Sequence, residues 1–154
     1  MRDRQRRRNR PDRFYEPTLT LTTSAPPEVA VAALVDALIA ARYRLQEREP
    51  TRARLRVGSW PRTLLVPDDI GFLQRLDLLP RRLVTWSFMA TVDLETLDTA
   101  PQTQVRVRIH RVWGDERYGV PHTLRAVDAA MRALYAAGYQ VEGSEVGEGP
   151  WLRP

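Results

Sequence analysis

The sequence predicts an α+β fold: a two-layer sandwich whose antiparallel sheet, of about five to six strands, carries two helices (about 26–41 and 120–137) on one face. Three observations predict it. Several segments alternate apolar and polar residues, the period of a strand with one buried and one wet face. Two other segments carry a single apolar stripe at helical spacing. The charge is segregated: the chain is 154 residues long with net charge +5, and residues 1–13 alone hold seven arginines against Asp3 and Asp12. The other 141 residues balance at 17 arginines and 17 acids. Residues 1–13 therefore read as a disordered Arg-rich tail, 14–141 as a single α+β domain, and the Gly- and Glu-rich 142–154 as a loose C-terminal tail.

Thr18–Thr23 alternates Thr and Leu and reads as the first strand. Ser24, Pro26 and Pro27 then open a helix, because proline suits a first turn whose N–H groups have no partner. Glu28 sits well near the positive end of the helix dipole. Val31, Leu34, Val35, Leu38 and Ile39 form its stripe, ending near Ala41.

Tyr43–Arg48 and Arg52–Ser59 alternate around Glu49-Pro50-Thr51 and read as a hairpin. Residues paired across a hairpin share a face of the sheet. A two-residue loop would set Leu45 against Arg56 and mix the faces. A three-residue loop sets Leu45 opposite Leu55 and Tyr43 opposite Val57, so three residues are expected.

Within Trp60–Pro80, Arg62–Val66 reads as a short strand; Asp68 and Asp69 are helix-cap types, and Phe72, Leu73, Leu76 and Leu79 fit a helix of about two turns ended by Pro80. This segment is a crossover connection or a lid. Arg82–Glu95 reads as a long strand with Val84, Trp86, Phe88, Ala90, Val92 and Leu94 inward, and Thr85, Ser87, Met89 and Thr91 outward. Gln104–Trp113 repeats the pattern, with Val105, Val107 and Ile109 inward and Arg106, Arg108 and His110 outward. The two glycines and the charges of Trp113–Gly119 mark a loop. Pro121 fits the start of the second helix, whose stripe is Leu124, Val127, Met131, Leu134 and Tyr135, with Gly138 as its C′ residue.

The outward sheet face is the candidate site. It gathers Arg44, Arg48, Arg52, Arg54, Arg56, Arg106, Arg108 and His110 among threonines, and the alternation places no acid among them. The hairpin register opposes Arg44 to Arg56 and Arg48 to Arg52, at a cost of a few tenths to about 1 kcal/mol per pair. Such a face suits an anion: a polyanion such as nucleic acid, or an acidic protein surface. Glu142, Glu145 and Glu148 are internal competitors for that role. A solvated face whose arginine stems cover the pleat is the plainer alternative. The face lacks outward aromatics for base stacking, so any nucleic acid would be held by charge.

Little in the sequence points to catalysis. There is no cysteine, which excludes disulfides and thiolate chemistry. His110 and His122 are the only histidines and lack metal-ligand spacing. Neither GxGxxG nor a P-loop is present. No catalytic residue, metal site or cofactor is therefore assigned. All 24 basic residues are arginine, a bias that suggests a high-GC bacterial source. No apolar run is long enough for a transmembrane segment, and the first strand pattern is unlike a signal-peptide core, so a cytoplasmic protein is expected. The sequence reading is a small non-catalytic binding protein that engages an anionic partner through the sheet face and tail. The alternative is a helix-grip-like carrier with a small apolar ligand between the sheet and the C-terminal helix. Ala30, Ala33, Ala37, Ala126, Ala130 and Ala133 suit that cavity and suit close helix packing equally.

Overall fold

Apolar parity sorts the strands onto one side of a single sheet, as the alternation predicts. The computed structural model describes residues 17–59, 88–97, 101–114 and 116–148. The Arg-rich tail, the elements expected between 62 and 87, and the last residues from 149 lie outside them. The elements are β1 (Pro17–Thr23), α1 (Pro27–Ala40), β2 (Arg44–Glu49), β3 (Arg52–Val57), β4 (Phe88–Leu97), β5 (Thr103–Gly114), α2 (Glu116–Ala136), β6 (Val141–Gly143) and β7 (Gly147–Glu148).

The sheet is antiparallel throughout, in the order β2-β3-β4-β5-β1-β6, with β7 beside β6 on the same edge of β1. Both helices lie on its apolar face, α1 against β3, β4 and β5, and α2 against α1, β4, β5 and β6. Leu55, Val92, Val107 and Ile109 are fully buried from the sheet side, and Leu34, Val35 and Leu38 from α1. Burial of each such side chain stabilises the fold by about 1.5–3 kcal/mol. Ala30, Ala126 and Ala130 are buried in this core, with Ala33 and Ala37 packed against it. These alanines serve close contact between the layers. Among the described residues no helix is long and apolar enough to cross a membrane.

The structure departs from the sequence reading at five places. The hairpin loop has two residues, Pro50 and Thr51, and the expected pairing of Leu45 with Leu55 is kept by a bulge between Leu45 and Glu47. The extra residue resets parity, so apolar faces match across a tight turn. Past the bulge Arg48 opposes Ala53, not Arg52. Met89, placed outward by parity, is buried beside Gly58, whose φ of +82° and approach to the Phe88 carbonyl admit only glycine.

The second helix starts at Glu116, four residues before the expected 120, with Pro121 inside it. Gly119 is a packing residue: a Cβ there would lie 3.4 Å from the Phe88 ring. At the stripe ends Ile39 is 45% exposed and Tyr135 75% exposed, so neither faces the core. Finally, Val141–Glu148 is ordered as an edge partner of β1 rather than loose. Thr23 Oγ1 donates to the Gln140 carbonyl at 2.7 Å, and Ser144 exchanges two bonds with the Thr20 backbone, filling the gap between β6 and β7.

Candidate functional site: the open sheet face

The residues that alternation turns away from the helices form cross-strand rows on the open face. In the first row Glu49, Arg52, Glu95, Arg106 and Thr20 follow one another across β2, β3, β4, β5 and β1. In the second the order is Glu47, Arg54, Asp93, Arg108 and Thr18. Both rows alternate in sign, which is stabilising for directly opposed charges. The third row differs: Arg44 opposes Arg56, which opposes Thr91, which opposes His110. Among the described residues no carboxylate stands in it.

Contacts follow the rows. Arg52 Nη2 lies 2.6 Å from Glu95 Oε1. Arg54 grips Asp93 through Nε at 2.7 Å and Nη2 at 3.2 Å. His110 Nε2 lies 2.7 Å from the other oxygen, Asp93 Oδ2. A carboxylate only accepts, so His110 donates from Nε2. Burial alone would push the Asp93 carboxyl up. The hydrogen bonds from His110 and Arg54, with their charges, outweigh it and hold Asp93 well below the usual carboxylate range.

Two depressions lie on this part of the sheet. One, of about 260 Å³, is lined by the carboxylates Glu47, Glu49, Asp93 and Glu95 together with three arginines. The other, of about 320 Å³, is lined among the described residues by Gln46, Arg54, Arg56, Thr91 and His110, with no acid.

The eight residues read as candidates from the sequence are thus not equivalent. Arg52 and Arg54 are held by Glu95 and Asp93, and Arg106 and Arg108 stand opposite the same two acids. Arg48 is displaced by the bulge to the parity of Ala53, which faces the helices. Arg44, Arg56 and His110 remain in a row of their own. The expectation of an acid-free face is overturned: Glu47 and Glu49 cross over at the bulge, and Asp93 and Glu95 share the parity of Thr91. That parity was the signal for the last two. Glu142 and Gly147 lie along β1 at the far edge of the sheet from β2. Five strand spacings of about 4.8 Å put that edge roughly 24 Å from Arg44 on β2, so Glu142 does not neutralise the Arg44–Arg56 pair.

A second polar cluster is buried between the layers. Tyr43 donates to Thr123 Oγ1 at 2.6 Å, and Thr123 donates in turn to the Gly119 carbonyl at 2.8 Å. Burial pushes the Tyr43 hydroxyl up to about 12, against the opposing effect of the Thr123 bond. His122 stacks on Tyr43 and donates from Nε2 to the Ala41 carbonyl at 2.8 Å. Burial lowers its pKa, opposed by the Ala41 bond and reinforced by the charge of Arg125. All three side chains are spent on tying α2 to the end of α1. Among the described residues no three His, Asp or Glu side chains group as metal ligands. No protein-family model matches the chain, and no curated protein matches its sequence.

Proposed function

We propose that this protein is a non-catalytic binding module that engages an anionic partner through the open face of its sheet, with the Arg-rich segment 1–13 adding sequence-independent attraction. The observation that carries the reading is the third row. Among the described residues Arg44 and Arg56 sit side by side with no carboxylate in register, while the neighbouring rows alternate in sign. A sheet selected only for its own stability would place an acid between them, because opposed like charges cost up to about 1 kcal/mol. The carrier alternative gains less, since Ala30, Ala126 and Ala130 are buried in the core with Ala33 and Ala37 packed against it, and Ala133 is exposed.

The test is retention on immobilised heparin. Arg44→Glu with Arg56→Glu is expected to lower the salt needed for elution, and deletion of residues 2–13 to lower it further at unchanged melting temperature. Elution of both variants with the wild type would refute the reading. A lowered melting temperature in the truncation would make the tail structural instead.

A further inference from the structure

The depression whose described lining holds no acid specifies what unit of the partner is held. Resting on the binding-module reading above, we propose that it takes the terminal phosphoryl group of a phosphate monoester. Its lining, Gln46, Arg54, Arg56, Thr91 and His110, brings side chains from four adjacent strands to one small space of about 320 Å³. Gln46, Arg54, Arg56 and Thr91 can each donate hydrogen bonds into it, and His110 adds a donor at Nδ1 in its protonated form. Gln46 is the residue left over by the β2 bulge, and bulges re-aim side chains in this way. Asp93 fixes two of the donors in place. It holds Arg54 by Nε and Nη2 and His110 by Nε2, so the Asp93 charge is already taken up on the flank of the pocket. Arg56 is left as the principal cation, with Arg44 across from it.

The donor count selects the ligand. A planar carboxylate offers two oxygens. A terminal phosphoryl group offers three and a charge of about −1.5 to −2, and guanidinium forks match its geometry. The neighbouring depression, lined by four carboxylates, is unsuited to an anion.

The experiment is a titration of the intact 15N-labelled protein with inorganic phosphate and, separately, with acetate, followed by amide shifts. Phosphate is expected to shift residues around Gln46, Arg56, Thr91 and His110 with a Kd of about 1 mM or below. Arg56→Gln is expected to weaken this by about tenfold or more, the worth of a charge-assisted bond. Thr91→Val, which keeps the charge and shape, is expected to weaken it severalfold, and Arg132→Gln on the exposed side of α2 to leave it unchanged. A native-like spectrum of each variant establishes that it is folded. Acetate binding as well as phosphate, phosphate shifts confined to another surface, or full affinity in Arg56→Gln would each overturn the proposal. Heparin retention that persists without a phosphate response removes this inference and leaves the broader reading standing. Loss of both removes both.

Discussion

Asp93 accepts hydrogen bonds from two neighbours on separate strands, Arg54 on β3 and His110 on β5. Its side chain is 26% exposed, and the Arg54 partner 49%, so solvent screens much of the attraction. The sign of its effect is fixed all the same. The folded-state pKa lies below the unfolded value of about 3.9, so the contribution is fully present above that pH and is lost as pH falls through the acid range. Asp93→Asn is expected to destabilise the protein by about 1–2 kcal/mol at neutral pH, the range for hydrogen bonds to a charged group after screening. The gap between wild type and variant should narrow once the pH drops below about 3.9 and close only as it falls through the much lower folded-state pKa, so it is smaller at pH 3 than at pH 7. Denaturant unfolding at pH 7 and pH 3 checks this; a gap that stays constant across the range removes the carboxylate as its source.

At the scale of elements, the ends of the two helices pose the same problem and solve it with different residues. After α2, Gly138 takes φ +92°, and the amides of Gly138 and Tyr139 bond back to Tyr135 and Leu134. After α1, Arg42 takes φ +75°, and the amides of Arg42 and Tyr43 bond back to Ile39 and Leu38. Both are the same left-handed cap, but only one uses the residue without a Cβ penalty. Arg42→Gly is expected to stabilise the protein by about 0.5–1 kcal/mol, since the relief of left-handed strain exceeds the entropy given to the unfolded chain. Chemical denaturation reads it directly, and a variant less stable than wild type would contradict the account.

Over the whole molecule, what was legible in the sequence is what depends on period alone. Alternation put Val105, Val107 and Ile109 under the helices and Arg106, Arg108 and His110 outside, as found. It also contained Asp93 and Glu95, two and four residues beyond Thr91, and hence the acids that pair with Arg54 and Arg52. What was illegible depends on tertiary partners. A two-residue loop with a bulge and a plain three-residue loop both satisfy the Leu45–Leu55 match. Gly119 carries the mark of a loop, yet it lies inside α2, where a Cβ would sit 3.4 Å from the Phe88 ring, and Pro121, read as the start of that helix, falls within it. β6 and β7 are three and two residues long, too short to show any period, and exist because β1 offers them an edge. The Thr23 hydroxyl, 1% exposed, joins these segments by donating to Gln140 and accepting from the Ala25 amide. Thr23→Val keeps the shape and removes both bonds. It is expected to cost about 1–3 kcal/mol and lower the melting temperature by roughly 2–10 °C. An unchanged melting curve would mean the tie is dispensable.

The place of β1 between β5 and β6 has a consequence for synthesis. A strand that leaves the ribosome early has neighbours numbered above 100 on both sides, so it must wait, solvent-exposed, until nearly all of the domain has been translated. The β2–β3 hairpin needs no such delay. Assembly should therefore begin at the arginine-rich corner and close last along the seam where early and late segments meet.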